Sequence, residues 1–228
     1  MKLLTQNTLM HTIKLSALAA LLSITGATNA GADPADATAM QRLLDGNTRF
    51  VSGQLQHPHQ DGSRRTEVAA GQKPFAVVIG CADSRTSPEI LFDQGLGDLF
   101  VIRLAGNIVD DAALGSVEFA VAQLGAKLIV VLGHEKCGAV KATVGVLNGD
   151  PEPANHIASI VAAIKPAAQA AKGKEGDAVE NAVRENVHEV VERLKAAAPV
   201  LEPLVKSGEV KVVGARYDLD NGKVEIVP

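Results

Sequence analysis

The chain has 228 residues, 46% hydrophobic and only 3% aromatic, with 26 acidic and 22 basic side chains for a formal charge of −4. That length can bury one substantial core, and the acidic balance, without a Lys/Arg cluster, argues against a nucleic-acid partner. Two cysteines allow one disulfide or a shared metal, but not a disulfide framework.

At the start, Lys2 and Lys14 precede the apolar stretch Leu15 to Ile24, too short to span a bilayer and of signal-peptide length. Thr28-Asn29-Ala30 offers small residues at the usual cleavage positions, which predicts a signal peptide over 1–30 and a single domain over 31–228. Removing those 30 of 228 residues leaves 198, with 20 basic side chains against 26 acidic and a charge of −6. Such a protein is expected to be periplasmic or secreted, with no membrane attachment after cleavage.

Next, from Ala35 to Phe50, Ala39, Met40, Leu43 and Leu44 recur at helical spacing, with Asp45-Gly46-Asn47 interrupting. Ser52 to Gly71 is polar and reads as a loop carrying His57 and His59. Four apolar runs of strand length follow: Phe75–Ile79, Leu99–Ile102, Leu128–Leu132 and Val210–Val213. They lack clean polar alternation, as strands buried on both faces of a parallel sheet do. Helical patterns separate them at Ala112–Leu124, Cys137–Leu147, Ala154–Ala171 and Asp177–Ala198, the last with Val183, Val187, Val190 and Leu194 on one stripe. Asp220-Asn221-Gly222 is a turn signal that predicts an antiparallel return over Val224–Val227. The fold class expected is α/β: a short, mostly parallel central sheet flanked by helices.

Both cysteines fall just after predicted strands, in Cys81-Ala82-Asp83-Ser84-Arg85 and His134-Glu135-Lys136-Cys137. In a parallel sheet both segments sit at carboxyl ends of strands, where open α/β folds bind ligands. An exported protein with two cysteines suggests a bridge. Cys81, His134 and Cys137 equally suit Zn²⁺, and three protein ligands leave the open position of a catalytic site. Asp83 and Arg85 favour the metal, since a disulfide needs neither. Arg85 can hold Asp83 bidentately as partner of a metal-bound water, and a released Asp83 could be a fourth ligand.

These motifs resemble the β-class carbonic anhydrases. The likeness extends through Leu43-Leu44-Asp45-Gly46-Asn47-Thr48-Arg49-Phe50, Arg103-Leu104-Ala105-Gly106-Asn107 and Ser116-Val117-Glu118-Phe119-Ala120. It implies one Zn²⁺ per chain on Cys81, His134 and Cys137, with Asp83 as ligand or hydroxide partner and Arg85 pairing with it. The implied reaction is reversible hydration of CO₂ to bicarbonate by zinc-bound hydroxide. Gln72, Gly138, Phe100 and Phe119 match substrate-pocket positions, and an N-terminal helical arm implies a homodimer or larger homo-oligomer. Bicarbonate-regulated members carry a Trp where this chain has Val78, so the regulatory set is incomplete even if Arg103 and Tyr217 match its other members. The plant-like, open form, with Asp83 held by Arg85, is therefore expected. A hydrolase of carbonyl sulfide or carbon disulfide, and a non-catalytic zinc protein, are the other readings.

Overall fold

The structure, a computed structural model, describes residues 34–227. The segment read as a signal peptide and its cleavage site lie outside the described residues. In chain order the elements are α1 (Pro34–Ser52), α2 (Gly62–Val68), β1 (Ala76–Gly80), α3 (Pro88–Leu91), β2 (Leu99–Arg103), the tight helical turn Ala105–Asn107, α4 (Asp111–Ala122) and β3 (Leu128–His134). Then follow α5 (Gly138–Leu147), α6 (Ile157–Ala170), α7 (Ala178–Lys195), α8 (Leu201–Ser207), β4 (Lys211–Tyr217) and β5 (Val224–Val227).

The sheet order is β2-β1-β3-β4-β5, parallel except for β5, which returns antiparallel on β4. Every residue of β1 and β3 is buried, which is why those strands read as unbroken apolar runs. Side chains alternate between two cores. Val77, Ile79, Ile129 and Val131 pack under α4 and α7 with Val117, Val187 and Leu194. Val78, Leu128, Val130 and Leu132 pack on the other face with Leu43, Phe92 and Tyr217. The chain leaves β1 for β2 on one side and returns to β3 on the other. This reversal of strand order opens the crevice where doubly wound sheets bind ligands.

Helix α1 packs on its own chain over its second half. Leu43 is fully buried. A Cβ at Gly46 would lie 1.7 Å from the Phe92 carbonyl oxygen, so only glycine allows that approach. Asn47 donates through Nδ2 to the carbonyls of Leu91 (3.1 Å) and Gly222 (2.9 Å) and accepts from the Val224 N–H (2.8 Å). The run from Leu43 to Phe50 thus fastens the first helix to the last hairpin.

Four elements depart from the sequence reading. Helix α2 lies inside the stretch read as loop; it is started by Asp61, which accepts from the Arg64 N–H at 2.8 Å, and buries no residue, so it leaves no apolar period. Helices α3 and α8 have four and seven residues, too short for a period. Strand β4 runs on to Tyr217 because Arg216, 8% exposed, is paired with Glu180 (2.6 Å) and Asp218 (3.1 Å).

Candidate metal centre

Cys81 directly follows β1, His134 is the last residue of β3, and Cys137 is the N-cap of α5. Lys136 adopts the left-handed backbone (φ 53), which turns the chain from strand to helix within two residues. The side-chain ligand atoms of Cys81, His134 and Cys137 lie within 4.8 Å of one another, and all three residues are buried. Both cysteines are free thiols, so the expected alternative of a bridge is not what the fold builds.

The imidazole is oriented for a cation. Its Nδ1 lies 2.8 Å from the Glu135 carbonyl oxygen, an acceptor only, so Nδ1 carries the proton and Nε2 keeps its lone pair. That Nε2 is buried with no hydrogen-bond partner. A buried acceptor facing two thiols is costly unless something electrophilic sits between them.

The thiols carry the same message. The pKa of Cys81 is lowered, chiefly by the Cys137 thiol beside it and against the cost of burial, with help from the N–H groups of Asp83 and Gly106. Cys137 is pushed up, first by Cys81 and then by burial. One proton is shared by the pair, because two adjacent thiolates repel. A divalent cation removes that conflict and lets both ionise. The donor set of two sulfurs and one nitrogen matches zinc.

The loop behind Cys81 is pinned by Arg103, whose Nε donates to the Cys81 carbonyl (2.8 Å) and Nη2 to the Asp83 carbonyl (2.6 Å). Thr86 Oγ1 adds a bond of 3.0 Å to the same Asp83 carbonyl. The Asp83 side chain is held by Arg85 at three donors: backbone N–H (3.0 Å), Nε (2.9 Å) and Nη2 (2.7 Å). This clamp, outweighing burial, keeps its carboxyl well below the usual carboxylate range. Oδ2 of Asp83 stands 3.9 Å from Nε2 of His134. An ionised carboxylate therefore borders the space between the three ligand atoms.

The substrate positions divide. Gly138 opens α5 beside Cys137, where helix amides lack intrahelical partners, and a Cβ there would meet nothing within 4 Å. Phe100 lies opposite Val77 in the β1–β2 register, and the four residue steps from Val77 to Cys81 span about 13 Å. Gln72 is exposed and lies farther back, ahead of β1. Within one chain, then, Gly138 lies beside the ligand set, while Gln72 and Phe100 lie toward the other end of β1. Phe119, 49% exposed, stands by Phe100 with ring centroids 6.4 Å apart.

Other residues are accounted for locally. His59 Nδ1 bonds Asp98 at 2.8 Å, just before β2 and away from the carboxyl ends of the strands. Glu135 accepts from the Leu219 N–H (3.2 Å), and Lys136 pairs with Glu135 (3.1 Å) and Asp220 (2.9 Å), which ties the ligand loop to the last hairpin. Arg103 serves the Cys81 loop, while Tyr217 is buried against Phe50 in the core. Sequence reasoning missed Asn186, whose Nδ2 donates to the Gly106 carbonyl (2.7 Å). Its signal was a lone amide within the α7 apolar stripe.

Fold and site together define an α/β protein with a buried Cys₂His group able to hold a metal ion, at a strand-order reversal. Residues 76–224 match the family profile described as Carbonic anhydrase. Carbonic anhydrase 2 of Mycobacterium tuberculosis is 43% identical over 185 residues, covering 81% of this chain and 89% of that protein. The β-carbonic anhydrase of Coccomyxa, solved in complex with acetazolamide, has a TM-score of 0.63 and 32% identity over 71% of this chain and 75% of its own. One of two tetrameric β-carbonic anhydrases of Sordaria macrospora shares the fold, with a TM-score of 0.65 at 24% identity over 83% of this chain and 96% of its own. The chain belongs to the β-carbonic anhydrase family, and its enzymatic class is that of a carbonic anhydrase.

Proposed function

We propose that this protein interconverts CO₂ and bicarbonate at one zinc ion held by Cys81, His134 and Cys137. The observation that carries the reading is the unpartnered, buried Nε2 of His134 between two thiols, with the ionised Asp83 at 3.9 Å. Zinc bound in such a site would supply a water far more readily ionised than bulk water as the nucleophile.

The side chains do the rest. Asp83, pinned by Arg85, accepts a hydrogen bond from the nucleophile and so fixes which lone pair faces CO₂. This supports the open form of the site, with Asp83 as a partner and not a ligand. The Gly138 N–H, at the positive end of α5, faces the developing negative charge on the substrate oxygen. The nearby space that lacks a Cβ takes the linear molecule.

Gln72 and Phe100 enter through a second copy of the chain. They stand too far from the ligands of their own chain, and two exposed apolar side chains lie nearby: Leu96, just before β2, and Phe119, on α4 beside Phe100. A homodimer or larger assembly is thus the working unit. Its place is the periplasm or the exterior, following the leader expected over residues 1–30.

The test is stopped-flow CO₂ hydration by the zinc-loaded protein against a chelator-stripped control. Two thiolates and a neutral imidazole leave the bound ion formally neutral and a weaker Lewis acid than a three-histidine site. Hydration is therefore expected to depend on zinc and to climb between about pH 7 and 9. Hydration unaffected by zinc removal, or a profile flat from about pH 6.5 upward, would overturn this account.

A further inference from the structure

Helix α7 carries one polar residue inside its apolar stripe. Asn186 lies between Val183 and Val187 on the buried face and is 2% exposed. A buried amide costs stability unless it is bonded. Nδ2 of Asn186 donates to the Gly106 carbonyl at 2.7 Å, and Gly106 donates its own N–H to Sγ of Cys81 at 3.2 Å.

The residue between these two bonds is constrained to be glycine. Gly106 has φ 71, and a Cβ there would come within 2.5 Å of Ile164 Cδ1 and 3.2 Å of Ala139 Cβ. Glycine is also the residue with the most torsional freedom, so this turn has little rigidity of its own. The other N–H on Cys81 Sγ, from Asp83 at 3.4 Å, comes from the ligand's own loop. Gly106 is the donor from a separate element, and α7 holds that element in place.

We propose that Asn186 is a positioning residue for the metal centre. It anchors the Gly106 carbonyl from α7 and so holds the turn that keeps the Gly106 N–H on the Cys81 sulfur, fixing the direction and donor strength of that ligand. The inference rests on the zinc reading of Cys81, His134 and Cys137. Partners of metal ligands of this kind are typically worth about 10- to 100-fold in metal affinity.

The experiment measures zinc affinity by competition with a chromophoric chelator, and the sulfur-to-metal charge-transfer band of the cobalt-substituted protein. Asn186→Leu keeps the volume but removes the donor; Asn186→Ala is read in its place if the leucine variant does not fold. Val190→Ala, a buried change one turn further along the same helix, controls for loosened packing. Weaker zinc binding by about tenfold or more, with a shifted cobalt band, in the Asn186 variant but not in Val190→Ala is the expected result. Parental affinity and spectrum in the Asn186 variant, or equal losses in Val190→Ala, would overturn the proposal. A parental chain that fails to bind one zinc would instead bring down the metal reading itself.

Discussion

Substituting Asp83 by Asn changes one oxygen to an amide nitrogen and leaves the shape of the side chain intact. In the parental chain both carboxylate oxygens accept from Arg85, Oδ1 from the backbone N–H and Nε and Oδ2 from Nη2. An amide offers one acceptor oxygen, so at least one guanidinium N–H would confront an NH₂ group. Either Arg85 swings out or the amide flips, and the oxygen facing His134 Nε2 is lost as a charged acceptor. The metal ligands are untouched, and Arg85 is half-exposed, so zinc content and folding should survive. The rate should not. A positioned proton acceptor contributes about 10²- to 10⁴-fold, or about 2.7–5.4 kcal/mol of barrier at 1.36 kcal/mol per decade. Stopped-flow hydration, with metal content and thermal unfolding measured on the same sample, separates the effects. A zinc-replete Asp83→Asn protein within about fivefold of the parental kcat/KM would refute the role. Loss of zinc in parallel with activity would make Asp83 a ligand.

Two further outcomes follow from the geometry. Gly138→Ala should fold as before, since the new methyl meets no atom within 4 Å, yet fill substrate space. We expect kcat/KM to fall about tenfold with unchanged zinc content, as one methyl group in a small pocket can do; an unchanged rate would remove Gly138 from the pocket. Asp93 is 1% exposed and accepts from Arg49 Nε (2.6 Å) and the N–H groups of Gln56 and His57 (both 3.0 Å). Burial opposes its ionisation, but these donors outweigh burial and hold its carboxyl below the ordinary 3.8. Asp93→Asn should therefore cost about 3 kcal/mol at neutral pH. A carboxyl depressed in the folded state stabilises above its unfolded pKa, and that stability is lost as pH falls through the folded value. Urea unfolding at a series of pH values should show the two proteins converging below pH 3.8; a constant gap would mean that the ion pair is not the source.

By itself the sequence determined the mostly parallel sheet, the long helices and the candidate metal donors. Buried strands and amphipathic helices write their periods into local composition, and thiol and imidazole groups are rare enough to stand out. It also placed both ligand loops at carboxyl ends of strands, since that follows from strand order alone. Short α2, α3 and α8 left no trace because a helix of one or two turns buries too little to set a pattern. Only tertiary structure decided that Asn47, Arg103 and Asn186 are fasteners, because their partners lie on segments distant in the chain and are mostly backbone carbonyls, which no side-chain pattern reveals. It alone separated Gln72 and Phe100 from Cys81, because residues nine or nineteen apart can lie at opposite ends of one sheet. And it alone set Nε2 of His134 free: which nitrogen keeps its lone pair depends on where a neighbouring carbonyl points, and that direction exists only in the folded chain.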